Sequence, residues 1–272
     1  MGTIDIIIIA LNVIFSIQGF NNRALFDKYS FQVGSILRDR EYVRLISSAF
    51  LHVDYLHLGL NMYVFWSFSV ALHQFFTPFQ FILVYVGSLL AGNLLALFIQ
   101  RNNEGYRAVG ASGAVSGVVY ASILLMPNSQ LMLALLPFFS FPAWVFGILY
   151  ILYTIFGIQK KSDNIGHEAH LGGAVGGLLI TLAIYPKIAT IAPLLVAGLL
   201  LPTVIFLYIL VKHPQWLTRG AISRNTQNDR PGLRDTENWE RGELNRILDK
   251  INRFGTESLS DEEKRFLERY RD

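Results

Sequence analysis

The chain contains no cysteine, which excludes disulfide bonds, thiolate nucleophiles and cysteine-ligated metals and leaves the redox compartment open. Charge is scarce too: Asp, Glu, Lys and Arg make up 16% of 272 residues, against roughly a quarter in a typical soluble domain. A soluble surface cannot be covered with so little. The formal net charge of +3 is small, and no nucleic-acid partner is expected. What fills the chain instead is apolar, 52% of all residues, arranged in long runs. This points to an all-α, polytopic membrane bundle.

A helix needs about 20 residues to cross roughly 30 Å of hydrocarbon. Seven runs approach that length, near 3–20, 55–76, 79–100, 112–126, 139–158, 168–185 and 189–211. The first lacks a basic stretch ahead of it and a small-residue cleavage site behind it, so it reads as a span and not as a cleaved signal. The fourth is short. From Ser112 to Pro127 only about 15 residues can be helical, roughly 22 Å, so one end must start within the bilayer. Irregular backbone at that depth needs a protein surround or a water-filled hollow, so the stretch RNNEGYRAVGA before Ser112 is expected to line one.

Residues 1–186 then form a six-span core and 187–212 an additional span. Residues 213–237 read as a polar linker and 238–272 as a short helical hairpin. In that tail Leu244, Ile247, Leu248 and Ile251 recur at helical spacing, Gly255 stops the first helix, and Ser260 with Glu263 fits a capping box ahead of Phe266, Leu267 and Tyr270. So small a hairpin has little core and is expected to dock on a partner.

Strongly polar side chains inside spans are expensive and mark function by default. The second span carries His57 and Asn61 four apart, on one helical face, with His52 just before it. Ser112 opens the fourth span, and His167, Glu168 and His170 open the sixth. A serine becomes a nucleophile when a base about 3 Å away takes its proton and fixed donors hold the oxyanion. His170 can be that base, while the Ser112 amide at a helix N-terminus, with His57 and Asn61, can supply the donors. Gly113 and Gly117 on the fourth span face Gly172, Gly173, Gly176 and Gly177 on the sixth, small-xxx-small patterns that let two backbones approach. By themselves such glycines mostly mean packing; three polar spans on one side of the membrane tip the balance toward chemistry. HEAH is one residue shorter than the zinc-binding H-E-x-x-H, and no carboxylate cluster adds ligands, so neither metal nor cofactor is expected. His73 and His213 read as satisfied interfacial residues.

These residues resemble the rhomboid family of intramembrane serine proteases, in that family's order: HVDYLHLGLN with His52, His57 and Asn61, GASG with Ser112, and AHLGG with His170. The resemblance covers the six-span core. It implies Ser112 as nucleophile, His170 as base and then acid, His57, Asn61 and the Ser112 amide as oxyanion donors, and His52, Gly110, Gly113 and Gly173 in support. It further implies transmembrane-protein substrates cut near the bilayer boundary, and a bacterial inner membrane as the location. The alternative is a weak or inactive relative that binds client helices. Two positions depart from the family: Val43 stands before Arg44 where Trp is common, and Ser116 stands four after the nucleophile where an aromatic often stacks on the histidine. Tyr120 is the candidate to orient His170 in its stead. Orientation divides the readings. The side bearing Ser112 is rich in Lys and Arg while Lys187 stands alone on the other, which points inward, whereas the resemblance points outward.

Overall fold

In this computed structural model the described residues are 2–133, 136–160, 165–213 and scattered positions from 247 to 267. The chain divides into two units, 1–217 and 218–272.

The first unit is a helical bundle. Helix α1 spans Thr3–Asn21, followed by a folded loop of α2 (Arg23–Tyr29), β1 (Phe31–Gln32), α3 (Val33–Leu37), α4 (Arg44–Ser47) and a 3₁₀ turn at Ser48–Phe50. Helices α5 (Tyr55–Leu72) and α6 (Pro78–Gln100) precede β2 (Arg107–Ala108) and α7 (Ser112–Leu125). Strands β3 (Gln130–Leu133) and β4 (Leu136–Pro142) form an antiparallel hairpin that leads to α8 (Ala143–Lys160). Helix α9 (His167–Ile184), a short α10 (Ile188–Ile191) and α11 (Pro193–Lys212) complete the unit.

Each of the seven expected spans has a helix, with two corrections at proline. The run expected to turn helical at 139 is strand until Pro142, and α8 starts only at Ala143. Proline has no N–H, and inside a helix its ring would press on the carbonyl four residues back, so it stands before the first turn. The last run is broken at Ala192, whose non-helical backbone (φ −130°, ψ 56°) precedes Pro193, because the ring disfavours the helical conformation in the residue before it. The second span, α5, also stops four residues early, at Leu72.

Among the described residues five helices are long and apolar enough to cross a membrane: α1, α6, α8, α9 and α11. The two that fall short are α5, which spends positions on His57 and Asn61, and α7, with 14 residues. At 1.5 Å per residue α7 is about 21 Å long, and it survives because it is enclosed by protein. Every residue from Gly113 to Leu124 is buried.

Helices α7 and α9 meet backbone to backbone. A Cβ on Gly173 would lie 1.9 Å from the Gly113 carbonyl oxygen, and one on Gly177 would lie 2.3 Å from that of Gly117. The other edge of α9 presents Gly172 and Gly176 to α6, where Cβ atoms would come within 2.6 Å of the Ala91 carbonyl and 2.7 Å of the Ala91 side chain. At the other end of the bundle His73 lies 2.7 Å from the carboxylate of the buried Asp5.

In the second unit Ile247 and Leu259 are buried with Ile251 and Leu267 against them. Gly255 has a φ of +76°, the left-handed conformation expected of a helix stop. The capping box is formed: the Ser260 N–H donates to Glu263 at 2.8 Å and the Glu263 N–H to Ser260 Oγ at 3.2 Å. Leu244, Leu248, Phe266 and Tyr270 lie outside the described residues.

Candidate active site

The residues just before α7 are tied down from two directions. The Gly110 N–H donates to the Ser48 carbonyl at 3.0 Å, and the Ala111 N–H donates to His52 Nε2 at 3.4 Å. Since Nε2 accepts, the His52 proton sits on Nδ1, which meets Ser16 Oγ at 2.8 Å; Ser16 in turn donates to the Phe50 carbonyl at 3.0 Å. His52 is fully buried, and burial, helped by neighbouring His57 against a small opposing pull from Asp54, lowers its pKa to about 3. It is a neutral fastener between α1, the first loop and the entry to α7.

Gly110 has a φ of +132°, which a side chain rarely tolerates, and a Cβ there would stand 3.0 Å from His57 Nε2 and 3.8 Å from Ser112 Oγ. The bare backbone thus brings His57 up to the serine. Asp54 caps α5 by accepting the His57 N–H at 2.7 Å, which sets the first turn that carries His57. One turn on, Asn61 donates one amide hydrogen to the His57 carbonyl at 3.0 Å, and its Nδ2 has a second. The first intrahelical bond of α7 runs from the Val115 N–H to the Ala111 carbonyl at 2.9 Å. The amides of Ser112, Gly113 and Ala114 therefore stand at the open end of the helix.

Ser112, His170, His57, Asn61 and Gly110 all line one cavity of about 730 Å³. Tyr106, Arg107, Ala108 and Val109 line it as well, so the stretch before Ser112 borders a hollow as expected. Strands β1 and β2 hold that stretch by pairing Phe31 with Ala108 and Gln32 with Arg107. Arg44, the arginine of the first loop, is buried and donates to the Asp27 and Ser30 carbonyls at 2.7 and 2.8 Å and to the Glu41 carboxylate at 2.5 Å. A second, largely apolar cavity of about 200 Å³ adjoins through Asn61 and Ser112 and reaches Ser116, Phe146 and Tyr150.

His52 stands behind the cavity, and Gly113 and Gly173 stand at the α7–α9 contact. Tyr120 needs correction. It is fully buried, but its hydroxyl donates to the Gly147 carbonyl at 2.5 Å instead of meeting His170. The aromatic at His170 is Tyr150 of α8, whose hydroxyl is 2.9 Å from Nδ1 and whose ring stacks on the imidazole at 6.1 Å. The Tyr150 contact thus lies on the Nδ1 edge of the ring. Sequence gave no local signal for Tyr150; its role appears only once α8 is seen beside α9. Glu168, the glutamate of HEAH, accepts from Gln100 Nε2 at 2.5 Å and from the Tyr106 hydroxyl at 3.4 Å. Burial, and then the Glu168 charge, push the Tyr106 phenol well above its usual pKa, so it stays a donor. Among the described residues no three His, Asp or Glu side chains gather in a way that could hold a metal.

A membrane helical bundle with a half-buried serine at the start of a short enclosed helix, sharing one cavity with a histidine of the helix packed on it through glycines, points to a class. The chain belongs to the rhomboid family: the Rhomboid domain matches residues 39–187. Residues 237–271 match a family of unknown function, DUF6576. Among curated proteins the chain is 32% identical over 155 residues to Rhomboid protein 1, mitochondrial, of Saccharomyces cerevisiae, covering 53% of this chain and 43% of that protein. It is 31% identical over 135 residues to Presenilin-associated rhomboid-like protein, mitochondrial, of Homo sapiens, covering 49% and 36%. It is 30% identical over 171 residues to RHOMBOID-like protein 12, mitochondrial, of Arabidopsis thaliana, covering 57% and 50%. The chain thus spans half or less of the length of these relatives.

Proposed function

We propose that this protein is an intramembrane serine endopeptidase that cuts membrane-protein substrates in or near their transmembrane segments with a Ser112–His170 dyad. The observation that carries the reading is convergence: Ser112, His170, His57 and Asn61, from three helices, line one cavity.

In the first half-reaction Ser112 Oγ attacks the scissile carbonyl carbon and its proton passes to His170 Nε2. The carbonyl oxygen becomes an oxyanion beside the Ser112 amide, the second Asn61 hydrogen and His57 Nε2, and the fixed donors stabilise it as it forms. His170 then gives its proton to the leaving nitrogen, the C–N bond breaks, and an ester to Ser112 remains. A water enters from the cavity, loses a proton to His170 and attacks the ester. Return of that proton to Ser112 Oγ releases the acid. A helical substrate must unwind first, because its own turn shields the peptide bond, so small and helix-breaking residues near the cut are preferred.

Placement in a bacterial inner membrane draws no support from the curated relatives, whose names are mitochondrial. The tail, by its own small core, is proposed to serve a partner rather than the chemistry.

A fluorophosphonate probe tests the reading. Purified protein is expected to be labelled at Ser112, and Ser112→Ala to abolish both labelling and cleavage of a single-span reporter. An unlabelled wild type whose Ser112→Ala variant changes no cleavage would end the protease reading.

A further inference from the structure

The position four residues after the nucleophile is Ser116, and the ring stacked on His170 comes instead from α8. We propose that Tyr150 is the positioning residue of the Ser112–His170 pair: its hydroxyl accepts the Nδ1–H of His170, and Ser116 aims that hydroxyl. The proposal rests on the proteolytic reading above.

A neutral imidazole carries one N–H, and a base for Ser112 needs its lone pair on Nε2, so the proton must stay on Nδ1. A hydroxyl 2.9 Å from Nδ1 can enforce either tautomer. If it donated, Nδ1 would be the acceptor, Nε2 would carry the hydrogen, and the base would be disabled. The Tyr150 hydroxyl must therefore accept from Nδ1–H and send its own hydrogen elsewhere. Ser116 offers a destination: its hydroxyl and Tyr150 line the same small apolar cavity. The Ser116 hydroxyl can pass its own hydrogen back to a helix carbonyl one turn earlier, a common habit of serine in helices.

The ring is held as a positioning group requires. Phe146 stacks on Tyr150 at 5.4 Å and 17°, and Tyr120 lies behind it at 6.4 Å with its hydroxyl on the Gly147 carbonyl of the same helix. Glu168, the carboxylate nearest His170 in sequence, is committed to Gln100 and Tyr106. The small side chain at 116 leaves room for a hydroxyl arriving from α8. The contact strengthens when His170 becomes an imidazolium, since hydrogen bonds from a charged donor are about twice as strong as neutral ones. It therefore favours the transition state over bound substrate and acts on kcat.

The test compares wild type, Tyr150→Phe, Ser116→Ala, the double variant and Ser112→Ala in detergent, with a quenched-fluorescent peptide bearing small residues around the cut. Tyr150→Phe keeps the ring and loses the hydroxyl. Its kcat is expected to fall roughly ten- to a hundredfold, the range for a hydrogen bond to a charged group, with KM unchanged. Ser116→Ala is expected to lose about three- to tenfold, and the double variant no more than Tyr150→Phe alone, because both changes act through one hydroxyl. A Tyr150→Phe kcat within about twofold of wild type, or losses that multiply in the double variant, overturns the proposal while an active wild type and a dead Ser112→Ala keep the protease reading. A wild type that neither labels nor cleaves overturns both. Should Tyr150→Phe fail to fold, Ser116→Ala carries the test alone, and an unchanged kcat there refutes it.

Discussion

His52 shows what a single side chain contributes without touching a substrate. It holds the Ala111 amide, one residue before the nucleophile, and can do so only while neutral. Its folded pKa of about 3 lies below the roughly 6.5 of a free histidine, so between those values the unfolded chain binds more protons and stability rises with pH. That stability is complete above about pH 6.5 and is lost as pH falls toward 3. Thermal unfolding in detergent at pH 8, 6 and 5 is expected to show a Tm that drops with acid, with a clearly flatter slope for His52→Gln; parallel slopes would refute the role. Sequence spacing marked His52 as belonging with His57 and Asn61. It could not show that the first histidine works on backbone rather than on substrate, because that bond joins residues 59 apart. Tyr120 and Tyr150 make the same point from opposite sides. Tyr120 was the aromatic near Ser112 along its own helix, whereas Tyr150 is near in space alone.

The α7–α9 contact was legible as glycines at four-residue spacing, because close packing of membrane helices needs small residues whatever the fold. The use of α9's second edge against α6 was legible only in part: Gly87, Ser88, Ala91 and Gly92 offer small residues at the same spacing, but nothing in that spacing says which helix they meet. The contact makes a sharp contrast between two glycines. Alanine at 173 would put a methyl carbon 1.9 Å from a backbone oxygen that cannot move without its helix. Gly173→Ala is expected to destabilise by about 1–3 kcal/mol, as overpacking does, and to slow fluorophosphonate labelling by more than tenfold because Ser112 and His170 ride on the separated helices. Gly59 has no atom within 4 Å of its missing Cβ. Gly59→Ala is expected to leave labelling unchanged and to raise stability by about 0.5–1 kcal/mol through helix propensity. A Gly173→Ala protein that melts and labels like wild type would show that α7 and α9 need not touch. Hairpin β3–β4 was hidden for a different reason. Its apolar run has the composition of a span, and only Pro142 tells where a helix can begin.

At the scale of the molecule, the order of the spans decides which segments share a side. Counting crossings, the first loop, the entry to α7, the end of α8 at Lys160 and the end of α11 at His213 fall on one face, and Lys187 with Ile191 on the other. The Rhomboid match stops at residue 187, so α11 lies outside it, yet α11 is built into the bundle: Leu199 is fully buried, and a Cβ on Gly147 of α8 would lie 3.0 Å from it. Helix α8 is thus held by α11 at Gly147, one turn from Tyr150. The missing cysteines make the arrangement measurable, since any single introduced thiol is the only one present. Arg40→Cys and His213→Cys are expected to react with an impermeant maleimide from the same side of sealed vesicles, and Ile191→Cys only from the other. All three sites are exposed and outside the cavity, so activity serves as a check on folding. Labelling of residues 40 and 213 from opposite sides would mean that one helix does not cross, and α5 and α7, short of apolar length, would be the first to question. Agreement fixes the parity of the bundle. The side on which residue 40 reacts then chooses between the Lys and Arg distribution, which points the cavity inward, and the family resemblance, which points it outward.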